Sequence, residues 1–263
     1  MTELPLAKKS LGQHWLTDTG TLQAICDAGK VTAADAVLEV GPGTGTLTKL
    51  LVQRAKQVIA VEYDPRLAQE LSARVQAQNL KIVEQDILEY DLTDLPADYK
   101  VVANIPYYLT SKLIRTLSET PNRAARVVLL IQKEVAERVA AKPGDMSLLS
   151  VSAQFYWDVS LGPIVPARMF TPAPKVDSQV LVLVRHATPL YPDADTKQFF
   201  RVVKAGFSAR RKKLRSSISG GLRISKDEAA SLLVAAGINP DLRPQELSVG
   251  EWYGLYQAVH KVA

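Results

Sequence analysis

The tetrapeptide Asn104-Ile105-Pro106-Tyr107 combines residue types that can act on an amino group attached to an aromatic ring. Such an amino group is a poor nucleophile, because its lone pair is conjugated with the ring. Two hydrogen-bond acceptors can hold its hydrogens so that the lone pair points at a methyl sulfonium. The side-chain oxygen of Asn104 is one such acceptor. The carbonyl of Ile105 can be the other, since a residue before proline favours an extended conformation that aims it.

The remaining residues of the tetrapeptide supply rigidity and a flat surface. Pro106 fixes the backbone of the turn, and the ring of Tyr107 can stack on a base. The same residues also suit a plain turn at the end of a strand, so the tetrapeptide alone does not decide between structure and chemistry. If it is catalytic, the sulfonium drives the transfer without a general base or a metal, and the protein supplies alignment and desolvation.

A glycine-rich turn upstream indicates a nucleotide-like cofactor. The predicted strand Val37–Val40 leads into Gly41, Gly43 and Gly45, and a predicted helix begins at Thr46. Glycines let the backbone approach a ligand closely, and a helix N-terminus presents free N–H groups. The spacing puts Thr46 where the dinucleotide fingerprint has its last glycine or alanine, which weakens a pyrophosphate-binding interpretation.

Two carboxylates complete this predicted cofactor site. Glu62 ends the next strand and can accept hydrogen bonds from both hydroxyls of a ribose, a group that NAD and S-adenosylmethionine share. Asp86 ends the third strand and can accept from an adenine amino group, although it also suits an ordinary helix cap. Together with the glycine turn and the tetrapeptide, they favour a methyltransferase that acts on a planar amine.

Alternating strands and helices are predicted to position these residues. Short apolar runs indicate buried parallel strands: Ala36–Val40, Val58–Val61, Lys81–Val83, Val101–Ala103 and Val127–Ile131. The stretches between and around them indicate helices: Thr19–Ala28, Thr46–Arg54, Arg66–Gln78, Ser111–Ser118 and Glu134–Ala141. Right-handed βα units of this kind build a doubly wound α/β sheet, which binds ligands at the carboxyl ends of its strands.

The chain changes character in its second half. A proline-punctuated loop from Pro163 to Pro174 leads to the run Val180–Val184, which is predicted to lie antiparallel at the sheet. Beyond a linker-like segment at 187–192, further helices are predicted: Thr196–Phe207, Arg210–Ser217, Lys226–Ala236 and Val249–Val259. We therefore predict one domain over residues 1–185 and a small all-helical domain over residues 186–263.

The distribution of charge indicates a polyanionic partner. The net charge of +5 lies in the C-terminal part, because residues 1–185 carry 20 basic and 20 acidic side chains whereas residues 186–263 carry 12 and 7. One stretch holds seven basic residues and no acid: Arg201, Lys204, Arg210, Arg211, Lys212, Lys213 and Arg215. This pattern favours contact with RNA phosphates, with a merely solvated helix face as the alternative.

The composition limits the class of protein. The chain has 263 residues, of which 47% are hydrophobic, and no apolar run approaches the roughly 20 residues of a membrane span. There is one cysteine, Cys26, so an internal disulfide is excluded. With no apolar segment typical of a signal peptide near Met1, we expect a cytoplasmic protein without a membrane partner, and we expect it to be monomeric.

The chain resembles the ribosomal RNA adenine dimethyltransferases of the KsgA type along nearly its whole length. The matching segments are Lys9–Leu16, Glu39–Gly45, Asn104–Tyr107, Gln132–Val135, Phe170–Ser178 and Phe207–Arg215. The resemblance implies a Rossmann-like class I methyltransferase domain, with S-adenosylmethionine as cofactor and no metal. It further implies dimethylation of N6 of two adjacent adenosines near the 3′ end of 16S ribosomal RNA, within the immature small subunit.

The resemblance also implies roles for particular residues. His14 and Leu16 belong to a segment that closes over the cofactor, and His14 stands where bacterial relatives more commonly have Asn. The cofactor site would be completed by Gly41, Gly43, Glu62, Asp86 and Asn104. Phe170 resembles the residue that stacks on the target base opposite Tyr107; its alternative is a loop aromatic tucked under the neighbouring prolines.

Three rival functions remain open at this point. A 23S ribosomal RNA adenine methyltransferase that confers antibiotic resistance shares the fold, the cofactor and the Asn-Ile-Pro-Tyr motif. The ending Leu242–Val249 followed by Trp252 looks more like the small-subunit enzymes. A ribosome assembly factor with secondary activity and a nicotinamide-dependent oxidoreductase are the other two.

Overall fold

Apolar and β-branched runs form the strands, as the sequence predicts. The structure is a computed structural model that describes residues 5–8 and 11–261. Its strands, numbered in chain order, are β1 (Trp15–Leu16), β2 (Ala36–Val40), β3 (Gln57–Glu62), β4 (Leu80–Glu84), β5 (Lys100–Asn104), β6 (Arg126–Gln132), β7 (Trp157–Val165), β8 (Phe170–Thr171) and β9 (Ser178–Arg185). The strands predicted from the sequence agree with these within two residues at each end.

The helices follow the amphipathic stretches between the strands. They are α1 (Thr19–Ala28), α2 (Thr46–Arg54), α3 (Pro65–Arg74), α4 (Thr110–Glu119), α5 (Lys133–Val139), α6 (Leu148–Gln154), α7 (Thr196–Phe207), α8 (Leu214–Leu222), α9 (Lys226–Ala235) and α10 (Val249–Lys261). The predicted helix Arg66–Gln78 ends early, because Val75 adopts extended backbone and buries its side chain against Leu71. Within the described residues, none of these helices has the length and apolarity that crossing a membrane requires.

Seven of the strands form one mixed sheet in the order β4-β3-β2-β5-β6-β9-β7. Neighbours from β4 to β6 pair in parallel, and β9 pairs antiparallel with β6, with Val182 opposite Val128. The order reverses between β2 and β5, which is the switch point where doubly wound sheets bind ligands. The predicted doubly wound, mostly parallel α/β sheet with an antiparallel late strand is confirmed.

The edge strand β7 corrects one prediction. The prolines predict a loop around Pro163, whereas residues 157–165 form a strand at the edge of the sheet. An edge strand tolerates proline, since one side of it needs no N–H donor. Because prolines are also typical of loops, the sequence pattern does not indicate this strand.

Two short strands lie outside this sheet. β1 pairs antiparallel with β8, placing Trp15 opposite Thr171 and Leu16 opposite Phe170. The side chains of Leu16 and Phe170 are buried in the main hydrophobic core of the sheet. This pairing joins the N-terminal segment, residues 5–8 and 11–16, to a strand more than 150 residues later in the chain.

The chain divides into two units, residues 1–136 with 158–185, and residues 137–157 with 186–263. The predicted division after Arg185 had assigned residues 137–157 to the first domain, but their contacts group them with the helical unit. That unit has its own core around Phe199 and Trp252. Packing there is so close that a Cβ on Gly206 would lie 2.2 Å from Trp252 Cη2.

The helix predicted over Arg210–Ser217 begins later than expected. Residues 210–213 form a turn, in which the Lys212 N–H donates to the Ala209 carbonyl at 2.8 Å, and α8 starts at Leu214. The Leu214 N–H donates to the Leu242 carbonyl at 2.7 Å, which ties the start of α8 to a distant loop. The helical periodicity of the sequence does not predict this tertiary hydrogen bond.

Candidate active site

A cavity of about 350 Å³ opens at the carboxyl ends of the parallel strands in the first unit. Its lining includes every residue predicted for the cofactor and for catalysis: His14, Leu16, Gly41, Gly43, Glu62, Asp86, Asn104, Pro106, Tyr107 and Phe170. The glycine turn follows β2 and the tetrapeptide follows β5. The two motifs therefore meet at the switch point of the sheet.

The glycine turn is shaped by three left-handed backbone conformations. Gly41, Gly43 and Gly45 have φ values of 65°, 56° and 79°. A Cβ on Gly43 would lie 2.8 Å from the ring of Trp15, and one on Gly45 would lie 2.8 Å from Leu71 Cδ1. Only Gly41 has open space beside it, with Pro106 Cδ 3.9 Å from its virtual Cβ. Gly41 therefore leaves bare backbone facing the cavity.

Glu62 is held rigidly beneath this turn. One carboxylate oxygen accepts the Gly43 N–H at 3.0 Å, and the other accepts the Asp64 N–H at 2.9 Å. Burial raises the pKa of the Glu62 carboxyl, and these two backbone donors act in the opposite direction. A carboxylate offers about four acceptor sites, so acceptor capacity remains for a ligand that carries hydroxyls.

Asp86 is half-buried at the carboxyl end of β4. Its Oδ1 accepts the Leu88 N–H at 2.9 Å and so caps a turn at residues 87–89; the helix cap offered as the alternative is wrong, because no helix begins there. Its second oxygen remains for a donor in the cavity that it lines. The cap and the ligand contact are thus compatible.

Asn104 is the last residue of β5, where it pairs with Leu130 of β6. Its side chain is half-buried, and the described part of the chain provides no hydrogen-bond partner for it. Beyond Ile105, which is 2% exposed, Pro106 has φ −57° and accepts the Leu109 N–H at 3.0 Å. The turn is closed by its own hydrogen bond, so the Asn104 amide is left for a ligand.

Tyr107 is fixed at both its hydroxyl and its ring. The hydroxyl shares a 2.8 Å hydrogen bond with Ser178 Oγ, and burial raises the pKa of the phenol. The ring stacks on His14, with centroids 5.7 Å apart and planes 24° apart. His14 in turn donates from Nδ1 to the Pro172 carbonyl at 2.7 Å. The N-terminal segment thus reaches the tetrapeptide directly.

Phe170 has the burial of a core aromatic. It is 3% exposed and packs with the main core of the first unit, although it also forms part of the cavity wall. Its pairing with Leu16 through β1 and β8 accounts for this burial. Its stacking on a target base stays a prediction.

Several cavity residues were not anticipated from the sequence. Tyr108 is 60% exposed, and Lys112 lies one helical turn further along. Glu39 is buried inside β2, where burial and the nearby Glu62 raise the pKa of its carboxyl to about 8. The position of Glu39, an acidic residue within an otherwise apolar strand, could have indicated that it lines the cavity.

All seven predicted RNA-binding residues are exposed in the second unit. Arg201 and Lys204 lie on α7, and Arg210, Arg211 and Lys212 lie in the turn before α8. The remaining two, Lys213 and Arg215, form ion pairs with Asp241 at 2.9 and 3.4 Å. Those two cations are partly neutralised, and the other five are not paired with Asp241.

The segments Leu11–Leu16 and Phe207–Arg215 are described, but Lys9 and Ser10 of the first matching motif lie outside the described residues.

No group of three or more His, Cys, Asp or Glu side chains within residues 5–8 and 11–261 is arranged to hold a metal ion. Metal-free chemistry stays a prediction.

A family model described as ribosomal RNA adenine dimethylase matches residues 5–261. Among curated relatives, the ribosomal RNA small subunit methyltransferase A of Dehalococcoides mccartyi is 41% identical over 94% of the chain and 86% of its own length. The protein of the same name from Streptococcus pneumoniae is 39% identical over 96% and 91%.

Two solved structures are similar over nearly the whole chain. A dimethyladenosine transferase from Plasmodium falciparum superimposes with a TM-score of 0.82 at 26% identity, covering 94% of this chain and 98% of that one. The 23S rRNA methyltransferase ErmE gives 0.75 at 28% identity, covering 94% and 99%.

Proposed function

The chain belongs to the ribosomal RNA adenine dimethylase family, and on that premise we propose that it dimethylates N6 of two adjacent adenosines near the 3′ end of 16S ribosomal RNA. The relatives that share about 40% of its sequence are named for the small subunit. The observation that carries the chemistry is the unengaged Asn104 amide at the end of β5, in one cavity with Glu62 and the glycine turn.

The cavity suits S-adenosylmethionine by the chemistry of its lining. Glu62 presents a fixed carboxylate for the ribose hydroxyls, Asp86 an acceptor for the adenine amino group, and Gly41 an open stretch of backbone. Glu39 Oε2 is buried without a hydrogen-bond partner among the described residues, so a polar group of a bound ligand could satisfy it. When bound, S-adenosylmethionine supplies an electrophilic methyl group on a sulfonium.

The residues at the end of β5 hold the target amine. Asn104 Oδ1 and the Ile105 carbonyl accept hydrogen bonds from the two N–H groups of the amine. The lone pair of the nitrogen is therefore no longer conjugated with the purine ring and points into the cavity. Tyr107 offers a ring face that is pre-set by its hydrogen bond to Ser178 and by His14. Because these partners are in place before substrate arrives, little reorganisation is needed at the moment of transfer.

RNA phosphates bind the exposed basic residues of the second unit in this proposal. Arg201, Lys204 and the turn 210–212 contribute most, since Lys213 and Arg215 share Asp241. Such contacts position the RNA without reading its sequence, so the target adenosines are selected by RNA shape. We expect the substrate to be 16S ribosomal RNA in the immature small subunit, and the enzyme to act in the cytoplasm as a monomer.

The likeness to ErmE supports one alternative, methylation of 23S ribosomal RNA. The two functions are separated by incubating the protein with unmethylated small and large subunits and labelled S-adenosylmethionine, followed by mass spectrometry of the RNA. We expect two adjacent dimethyladenosines in 16S RNA and none in 23S RNA. Label only in 23S RNA would replace this function with the alternative, and no label would refute both.

A further inference from the structure

Asp64, two residues after Glu62, is buried at the edge of the cofactor region with its side chain 1% exposed. Its carboxylate accepts the Arg66 N–H at 3.2 Å and so caps α3. A helix cap needs only that contact. The same carboxylate also accepts Lys8 Nζ at 3.0 Å and Gln13 Nε2 at 3.3 Å. Both of these donors belong to the N-terminal segment.

The two donors are themselves connected. Gln13 Oε1 accepts the backbone N–H of Lys8 at 2.7 Å, so the two ends of this stretch are held together. Gln13 lines the cavity, whereas Lys8 does not. Further along the segment, the Leu16 carbonyl accepts Thr46 Oγ1 at 2.9 Å. The wall formed by residues 11–16 is therefore fastened at both ends, at Asp64 and at the start of α2.

Asp64 also touches the predicted ribose-binding carboxylate. Its backbone N–H donates to Glu62 Oε1 at 2.9 Å. Burial alone would raise the pKa of the Asp64 carboxyl, but the hydrogen bonds from Lys8, Gln13 and the Arg66 N–H, together with the positive charge of Lys8, outweigh it and lower that pKa. The ionised form that attracts Lys8 is thus the stable one. One residue connects the cavity wall to the group that receives the ligand.

We propose that Asp64 is a positioning residue that fastens the N-terminal segment through Lys8 and Gln13 while orienting Glu62, and thereby sets the affinity for the cofactor. The inference rests on the proposed function, in that the ligand is S-adenosylmethionine. Asp64 contacts neither the cavity nor any reacting atom in this scheme. Its loss raises KM for S-adenosylmethionine and leaves kcat at saturating cofactor within about twofold.

Lys8→Met is the decisive variant, because the Lys8 side chain lies outside the cavity and contacts Asp64, while the substitution keeps the backbone N–H that Gln13 accepts. We expect about threefold weaker binding of S-adenosylmethionine by calorimetry, in line with a partly exposed ion pair. Asp64→Asn, which keeps an oxygen to cap α3, should weaken binding about tenfold or more. Lys8→Met should add nothing in the Asp64→Asn background, because both act through one contact.

Asp35→Asn is the matched control. Asp35 also accepts a lysine, Lys100, and also caps a local turn at Thr32, but it lies away from the cavity. The Asp35→Asn substitution should lower the thermal stability of the protein without changing its affinity for S-adenosylmethionine. Amide exchange gives a second readout: S-adenosylmethionine should protect residues 11–16 strongly in the native protein and weakly in Lys8→Met.

The outcomes separate this inference from the proposed function. Native protein that binds no S-adenosylmethionine refutes the function itself. Native protein that binds it, with unchanged affinity and protection in Lys8→Met, overturns the role of Asp64 even if Asp64→Asn fails to fold. Weaker binding of S-adenosylmethionine by Lys8→Met, together with a preserved kcat, supports the role of Asp64. An equal loss of affinity in Asp35→Asn would contradict it, because the effect would then follow from general loss of stability.

Discussion

The imidazole ring of His14 stacks on the phenol ring of Tyr107, with the ring centroids 5.7 Å apart. His14 also donates to the Pro172 carbonyl, so one side chain joins the N-terminal segment, the tetrapeptide and the loop after Phe170. An Asn at this position would have no ring to stack, so the contact with Tyr107 depends on the imidazole of His14.

Substitutions at His14 can separate its two contacts. His14→Phe keeps the stack and loses the hydrogen bond, whereas His14→Asn keeps a donor and loses the ring. We expect each to lower kcat/KM about threefold to tenfold, since each contact contributes about 1 kcal/mol. His14→Ala should lose both. Steady-state kinetics on small subunits would measure this, and native kinetics for His14→Ala would contradict the positioning role.

Asn104→Ala should lower kcat at least about 100-fold, because it removes a preorganised acceptor from the transition state. The far-ultraviolet spectrum should change little, because Asn104 makes no side-chain hydrogen bond within the described residues. Asn122→Ala is the control: that asparagine donates to the Leu92 and Leu95 carbonyls away from the cavity, so it should cost stability but not kcat. Undiminished methylation by Asn104→Ala would remove the catalytic assignment.

Tyr107→Phe should destabilise the fold by about 1–3 kcal/mol, because it leaves the buried Ser178 hydroxyl without its partner. Ser178→Ala should cost a similar amount. The double variant should cost less than the sum, since both changes break one hydrogen bond. Denaturant unfolding measures all three free energies, and strict additivity would mean that the hydrogen bond contributes nothing.

Charge reversal at Arg210 and Arg211 should weaken RNA binding and lower the slope of log affinity against log salt by about 2. Lys226→Glu, an exposed change in the same unit but outside the basic stretch, should leave the slope unchanged. Asp241→Asn should tighten binding, because it releases Lys213 and Arg215. Filter binding across a salt series measures these slopes, and equal slopes for all variants would exclude phosphate contact at the turn.

The raised pKa of Glu39 predicts that the stability of the ligand-free protein depends on pH. Its pKa rises from 4.5 to about 8 on folding, so between these values the folded state holds a proton that the unfolded state has released. Stability from this group therefore falls as pH rises through that window. Glu39→Gln should flatten the decline and raise Tm at pH 8, each kcal/mol corresponding to about 2–4 °C. A parallel pH profile for the variant would show that Glu39 is ionised in the fold.

The sheet and the meeting of the glycine turn with the tetrapeptide in one cavity were predictable, because both depend on local patterns. Apolar runs such as Val127–Ile131 mark strands, and motifs after successive parallel strands must meet at one edge. The stack of His14 on Tyr107 and the burial of Phe170 depend on the pairing of β1 with β8, which no local pattern encodes. The strand β7 was hidden because Pro163 is compatible with an edge position that the sequence does not reveal.

The place of β9 between β6 and β7 has a consequence for synthesis of the chain on the ribosome. β7 emerges first but reaches the sheet only through β9, and β1 has no partner until β8 emerges. A nascent chain of which fewer than about 185 residues have emerged thus exposes β6 as a free edge, a template for wrong pairing. Vulnerability to aggregation should peak while residues 133–185 emerge and end when β9 inserts.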